Sequence, residues 1–349
     1  MQQPLRPLLN AVQRNCHISD ARHAGNYSLC VYLLKMREYY RWEKGYPFQH
    51  QLSPSDVGDW LKERESFWET IEDEPFAELP IDGKLYDPFD SAAVNTALRG
   101  YGLVYSGGLG KHCTPHFFLG KLERRETQAD WTVFLSQREY ARDLTAPPAM
   151  ALDGTIVVRR ESLRRLIWEK IEEWRWNRLD NAMGRALRDL DLDGDIEAAL
   201  DELTDTILDT VLLHEKGEVL AGKRLGEEWE QMLASLPRSQ AEIMARAVRD
   251  HLADALSTLP GLVADGEDAA LHFYFANLAN MHKHLFPALA QAYEDWLKQG
   301  RRTAIEALIP TSVSHWSALA ERMLDIYRAR PGDLAARLQA LVEDHRLQR

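Results

Sequence analysis

Apolar residues recur at helical spacing along most of this chain. Behind a serine and a proline at positions 53 and 54, which are typical of a helix start, they lie three or four positions apart: Val57, Trp60, Leu61, Trp68 and Ile71. From residue 160 onwards the same period continues, broken at short intervals by glycine or proline. These intervals match the lengths of bundle helices. The pattern predicts a mainly α protein with a helical bundle over residues 160–349.

Residues 100–160 depart from this period. The segment 101–120 is rich in glycine with aromatic residues between, which indicates turns and close backbone approaches. Three short β-like runs, at 103–105, 131–136 and 155–158, predict a small sheet in this window. A threonine and proline at 114 and 115 predict a further helix that continues to Glu126. We therefore expect residues 1–159 to form an N-terminal helical part that carries a glycine-rich insertion and a small sheet. The bundle at 160–349 would then be a second domain, or both would form one continuous body.

Composition narrows the classes of partner and compartment. The chain has 54 acidic and 42 basic residues, a formal charge of −12, which argues against nucleic-acid binding because phosphates need a basic surface. One local basic cluster, at 159–165, is diluted by acidic neighbours. No stretch reaches the roughly 18 apolar residues of a membrane span, and the N-terminus lacks the pattern of a secretory signal. Three widely spaced cysteines favour a reducing compartment. We expect a soluble, cytoplasmic protein of bacterial type that binds no membrane.

The first candidate metal site lies at the start of the chain. His17, Asp20 and His23 fall three apart, just before an apolar run that predicts a helix over residues 24–43. Imidazole and carboxylate groups are common ligands of zinc and non-haem iron. Three-residue spacing does not place all three on one helical face, so a loop would have to gather them. The alternative is that Asp20 caps the helix and both histidines are partly exposed.

The second candidate is the segment 111–116, which reads KHCTPH. His112, Cys113 and His116 could bind zinc or iron together. Alternatively, Cys113 is a nucleophile, because a helix that starts at 114–115 would favour its thiolate. A buried cysteine in a tight turn is the third interpretation. Because neither this segment nor residues 16–23 offers enough ligands alone, we predict that the two come together in space.

Two further patterns involve carboxylates. His214 and Glu218 lie one turn apart at the end of an apolar helix, which resembles half of a bundle metal site or, alternatively, a solvated helix end. The acidic segment 189–194 matches the first half of a calcium loop, but Leu200 replaces the glutamate required at its twelfth position. An acidic turn that caps the next helix is the favoured interpretation. His282, at the centre of an apolar face in a helix predicted over 269–297, is expected to be buried.

These patterns favour a metal-dependent enzyme with a non-haem iron or zinc ion between helices and a small-molecule substrate. Aromatic surroundings favour redox chemistry slightly over hydrolysis. No nucleotide cofactor is expected, because phosphate-binding and dinucleotide-binding glycine motifs are missing from the sequence. The first alternative is a non-catalytic α-helical module that binds a protein partner, since ten tryptophans and twelve tyrosines could supply interface anchors. The second is a thiol-dependent enzyme that uses Cys113.

Overall fold

The computed structural model describes residues 5–110, 113–152, 154–265, 267–330 and 332–348. Its α-helices are α1 (Arg6–His23), α2 (Leu29–Lys44), α3 (Pro54–Glu69), α4 (Ser91–Ala97), α5 (Arg160–Arg175), α6 (Ala182–Ala186), α7 (Ile196–Leu225), α8 (Glu227–Ser235), α9 (Gln240–Ala253), α10 (Leu259–Asp265), α11 (Asp268–Asn277), α12 (Asn280–Leu285), α13 (Pro287–Gln299), α14 (Thr303–Arg328) and α15 (Leu334–Asp344). The strands are β1 (Leu79–Ile81), β2 (Lys84–Tyr86), β3 (Leu103–Leu109), β4 (Pro115–Thr127), β5 (Thr132–Arg142), β6 (Ala149–Leu152) and β7 (Thr155–Arg159). A π-helical turn, Asp254–Thr258, joins α9 to α10.

The prediction of a mainly α fold with only a small sheet is wrong. Although 64% of the structure is helical, strands β3–β7 form a curled five-stranded mixed sheet in the order β3-β4-β5-β7-β6. β5 and β7 run parallel, and the other neighbouring pairs are antiparallel. A second sheet pairs β1 with β2. The sheet is therefore a main layer of the N-terminal half, and residues of α1 and α7 pack against it.

Strand β4 accounts for much of this error. The predicted helix over 114–126 is instead a strand that pairs with β3 on one side and β5 on the other. Phe117 and Leu119 face one apolar cluster, and Phe118 faces another on the opposite side. Because both faces are covered, the strand shows a continuous apolar run instead of alternation, and such a run does not distinguish strand from helix.

Helix α1 occupies residues that were predicted to form a turn. Leu8, Val12 and Cys16 lie four apart, are fully buried, and pack against Phe117 and Leu119 of β4. A short 3-10 turn at Ala24–Asn26 then leads to α2, which ends at Gly45 in the left-handed conformation. His17, Asp20 and His23 consequently lie on a regular helix and not in a loop.

Beyond residue 160, every regular element in the described ranges is helical. The helix predicted over 269–297 is in fact three helices, α11, α12 and α13, with breaks near Leu278 and at Pro287. His282 lies on the short α12 with 38% of its side chain exposed, 3.1 Å from the Asp250 carboxylate. The apolar residues around His282 in the sequence predicted a buried side chain, and the side chain is more exposed than that prediction.

Helices α2 and α5 bring the two halves of the chain together. The Phe48 ring, just after α2, lies 5.4 Å from the Trp168 ring on α5, and the Phe48 amide donates to Glu197 at the start of α7. This contact leaves a cleft between α2 and α5. Over the described ranges, no helix combines the length and the apolar character needed to cross a membrane.

Candidate functional site

His17, the first predicted metal ligand, is hydrogen-bonded within the protein. Its ring nitrogens lie 2.8 and 3.1 Å from the Arg64 guanidinium, and the Trp68 indole donates to Nδ1 at 3.3 Å. Burial, and then the positive charge of Arg64, lower the pKa of His17 to about 3. The imidazole is therefore neutral at pH 7 and accepts from neighbours that compete with a metal ion.

Asp20 and His23 have different neighbours from His17. The buried Asp20 carboxylate accepts from the Leu144 amide at 2.9 Å, and burial followed by the charge of Asp143 raises its pKa. His23 lies in the last turn of α1, where burial and Arg22 lower its pKa. Within the described ranges, no group of three or more histidine, cysteine or carboxylate side chains is arranged to hold a metal ion.

The second predicted cluster lies at the start of β4. His112 falls outside the described residues. His116 is buried on the strand, and its Nε2 has no hydrogen-bond partner among the described residues; burial lowers its pKa. Cys113 is exposed and precedes a strand, so the argument from a helix N-terminus does not apply to its thiol. Cys16 Sγ lies 3.2 Å from the Phe117 carbonyl oxygen, so α1 does contact the start of β4.

The three cysteines are expected to differ in reactivity. Cys16 is fully buried, and burial raises the pKa of its thiol, whereas Cys30 and Cys113 are exposed. We expect Ellman's reagent to titrate two thiols per native chain at neutral pH, and the third only after unfolding by guanidinium. Three thiols that react at one rate in the native protein would contradict this arrangement.

His214 and Glu218 lie together on α7, with a third acidic group beside them. His214 Nε2 lies 3.7 Å from Glu218 Oε1, and its Nδ1 lies 2.9 Å from Asp254 Oδ1 on the π-helical turn. Asp254 also accepts from Thr258 at 2.8 Å and Tyr274 at 2.9 Å. The histidine therefore joins α7 to the turn between α9 and α10.

Electrostatics favour a charged pair at this position. Burial alone would lower the pKa of His214, but its bonds to Asp254 and Glu218 outweigh burial and raise that pKa well above its usual value. Burial alone would raise the pKa of Asp254, but the bond from His214 lowers it. Arg249 also lies 3.4 Å from Glu218 Oε1. A cation is thus already present on either side of Glu218. His214 and Glu218 are therefore better described as part of an ion-pair network between helices.

The cleft between α2 and α5 contains two cavities that the sequence analysis did not identify. The outer cavity has a volume of about 740 Å³. Guanidinium groups line it from both helices and from the turn that follows α5: Arg37, Arg41, Arg175 and Arg178. Glu172 and Asp193 are its acidic lining residues. In a chain of charge −12, a cleft with an excess of positive groups is a local exception.

Aromatic rings hold the arginines of the outer cavity in place. The Arg41 and Arg175 guanidinium groups lie 5.9 and 5.8 Å from the Phe48 and Trp168 ring centroids. Arg41 also donates to the carbonyl oxygens of Pro47 and His50, at 2.8 and 2.9 Å. These contacts fix the positive charges before any ligand is bound.

The inner cavity has a volume of about 240 Å³ and lies further along the same two helices. The loop 144–148 closes one side of it. The charged and hydroxyl lining residues of the cavity are Lys35, Glu38, Arg142, Thr145, Ser162, Arg165 and Glu169. Arg142 ends β5, and α5 follows directly on β7, which runs parallel to β5. The inner cavity thus lies near the carboxyl ends of two parallel strands, a common place for ligand sites.

Arg142 is the most constrained cation of this cavity. Its side chain is 2% exposed and lies 5.3 Å from the Tyr39 ring centroid and 5.4 Å from that of Trp42. Its Nε donates to the Asp143 carbonyl at 3.2 Å, while its Nη1 has no hydrogen-bond partner among the described residues. A buried donor without a partner costs about 1–3 kcal/mol.

A network of buried polar groups holds lining residues of the inner cavity in place. Glu139 accepts from Arg159 at 2.9 Å and from the Ser162 hydroxyl, and Ser162 in turn accepts from Arg165 at 2.9 Å. The Arg159 guanidinium stacks 4.2 Å from the Phe118 centroid. Arg165 is 7% exposed, so its position is fixed by this network.

The two helices of the cleft match different domains of one protein family. Residues 7–159 match the model of the N-terminal domain of DUF6866, a family of unknown function, and residues 164–345 match the model of its C-terminal domain. The chain belongs to the DUF6866 family. No curated protein matches the chain, and no solved structure matches it either. In this DUF6866 chain, α2 lies in the N-terminal match and most of α5 in the C-terminal match, so residues of both domains line the cleft.

The DUF6866 chain also exposes an apolar surface on the first turns of α2. Leu29, Leu33 and Leu34 are 70%, 45% and 56% exposed, and Val31 is 43% exposed. Exposed apolar surface of this kind often marks an interaction site. The protein-interaction alternative stays a prediction, and this surface is the place to test it.

Proposed function

We propose that the chain binds a small anionic organic molecule in the cleft between α2 and α5. The supporting observation is that the buried Arg142 guanidinium lines a cavity that Lys35 and Arg165 also line. Guanidinium groups suit carboxylates and phosphates because their planar donors can bind two oxygens at once. A carboxylate or phosphate is therefore the group that we assign to the inner cavity.

The predicted metal-dependent enzyme has less support from the geometry. His17 accepts from Arg64, Asp20 accepts from a backbone amide, and Glu218 has cations beside it. These contacts occupy three of the seven predicted ligands. The metal prediction stays untested, since His112 lies outside the described residues.

Calorimetry with small anions tests the proposed function. Inorganic phosphate, acetate, pyruvate, 2-oxoglutarate and AMP would each be titrated into the full chain. We expect at least one to bind with a Kd below about 1 mM, and Arg165→Gln to weaken that binding by about tenfold to a hundredfold, since a hydrogen bond to a charged group is lost.

Arg164→Gln is the matched control. Arg164 is the preceding residue of α5, but it pairs with Glu197 and Asp201 and does not line either cavity. We expect this variant to bind the anion as the unaltered chain does. Equal weakening by both substitutions, or no binding of any probe, would argue against an anion site in the cleft.

A further inference from the structure

Among the described residues, Lys35 is the one lysine in the lining of the inner cavity. It lies midway along α2 with a half-buried side chain, and its Nζ is 5.3 Å from the Tyr27 ring centroid. It makes no ion pair or hydrogen bond with any residue of the described ranges. Other cations of this cavity are bonded, as Arg165 is to Ser162. Lys35 is therefore the cation whose amine is free to react.

The surroundings increase the fraction of Lys35 amine that is neutral at a given pH. Burial lowers the pKa of Lys35, the Arg142 charge lowers it further, and the carboxylates of Glu169, Asp143 and Asp20 act in the opposite direction. A desolvated lysine beside a second cation is a known way to obtain a nucleophilic amine at neutral pH.

Glu169 supplies a proton donor in the same cavity. Burial raises its pKa, the Lys35 charge lowers it, and the Glu38 charge raises it again. Because more than a third of its surface is accessible, the effect of burial is partial. A raised pKa increases the fraction of this carboxyl group that is protonated, and so able to donate, at a given pH.

We propose that Lys35 forms an imine with the carbonyl carbon of a 2-oxo acid whose carboxylate is held by Arg142 and Arg165. This inference rests on the proposed anion site, to which it adds a substrate class and a reaction. The volume of 240 Å³ corresponds to about eight water-sized groups, which suits a compact 2-oxo acid. The guanidinium groups would bind the carboxylate of such an acid, and the Lys35 amine would react with the neighbouring carbonyl.

The step balances with groups of this cavity alone. The Nζ lone pair forms the C–N bond, and the carbonyl oxygen takes the proton of the Glu169 carboxyl group. Glu169 carboxylate then removes a proton from Nζ and returns it to the hydroxyl group, which leaves as water. The products are the protonated imine of Lys35, the Glu169 carboxylate and one water molecule, with no change of oxidation state.

Borohydride trapping tests the imine directly. The full chain would be incubated with pyruvate or 2-oxoglutarate and sodium cyanoborohydride, which adds hydride to the imine carbon and leaves a stable secondary amine. We expect mass spectrometry to find one adduct per chain, on the peptide that contains Lys35.

Two pairs of variants separate reaction from binding. Lys35→Arg keeps the positive charge and should still bind the anion in calorimetry, but it should give no adduct, whereas Lys44→Arg on the same helix should react as the unaltered chain does. Glu169→Gln should slow adduct formation by about a hundredfold, and Glu173→Gln, on the exposed side of α5, should not.

The outcomes separate a failure of the Lys35 imine from a failure of the proposed anion site. An adduct that survives Lys35→Arg, or one spread evenly over exposed lysines, would overturn the role of Lys35. Anion binding in calorimetry without any adduct would refute the imine and leave the proposed function intact. Failure of every probe to bind would remove the proposed function, and the inference with it.

Discussion

Gly217→Ala is expected to lower the free energy of unfolding by about 2 kcal/mol, as overpacking of a tight contact usually does. Gly217 lies in the buried part of α7, where that helix passes the C-terminal end of α9. A Cβ atom at this position would be 2.3 Å from the Ala253 carbonyl oxygen and 2.8 Å from its carbonyl carbon. Both are backbone atoms, so no flexible side chain can move aside, and one helix must shift.

Gly222 provides the matched control within the same helix. A Cβ atom there would meet nothing within 4 Å, so Gly222→Ala should stabilise the protein by about 0.5–1 kcal/mol through helix propensity alone. Guanidinium denaturation of the three proteins would measure both effects. Equal stability of the two variants would show that α7 and the end of α9 are not in close contact.

Local signals in the sequence predicted several helix ends correctly. Ser53 caps α3, its side chain accepts from the Asp56 amide, and proline occupies the first turn. Gly45 ends α2 with a φ of 67°. Such ends depend on residues that are neighbours in sequence, which explains why they can be predicted from the sequence.

The sheet depends on contacts between distant segments. β4 is a strand because β3 and β5 supply its hydrogen bonds, although a threonine precedes it and a proline begins it, as they would a helix. The polar residues of α1 were interpreted as metal ligands because their actual partners are also distant in the sequence. Asp20 is buried because the Leu144 amide, more than a hundred positions away, bonds to it, and no local pattern predicts such a partner.

The cleft was missed because its charged residues resemble a solvated surface in sequence. Arg165 belongs to a basic cluster that acidic neighbours appeared to dilute, and Lys35 follows an apolar run that drew attention to the helix alone. The one available signal was the position of that cluster, directly after a predicted strand. Arg142 at the end of β5 and Arg165 on α5, which follows β7, line one cavity in the folded chain, and β5 pairs with β7 in parallel.

Asp254→Asn is expected to lower the free energy of unfolding by about 3 kcal/mol in mildly acidic solution, because a buried charge that accepts three hydrogen bonds is replaced by a neutral amide. Asp254 is 6% exposed, so solvent screens this loss little. Asp209→Asn, at an exposed position of α7, is the control and should leave stability unchanged.

The cost of Asp254→Asn should depend on pH in a defined direction. The pKa of His214 is raised in the folded protein, so its contribution is complete below its ordinary value of 6.5 and is lost as pH rises through the raised pKa. The pKa of Asp254 is lowered, so its contribution is complete above its ordinary value of 3.8 and is lost as pH falls through the lowered pKa. Both contributions are complete between these two values, and the difference between the variant and the unaltered protein should be largest there.

Neighbouring groups that titrate in the same region must be separated from this effect. Burial and the Glu218 charge raise the pKa of Glu215 to about 7, so its ionisation destabilises the fold as pH rises towards neutrality. Burial lowers the pKa of His251 to about 4, and Arg249, Asp250 and His282 also lie near this network. These groups are present in both proteins, so the difference in unfolding free energy between Asp254→Asn and the unaltered chain reports mainly on the His214 pair. A smaller part comes from His251, whose pKa the Asp254 charge raises. A difference that stays constant from acidic to alkaline pH would show that His214 carries no charge beside Asp254.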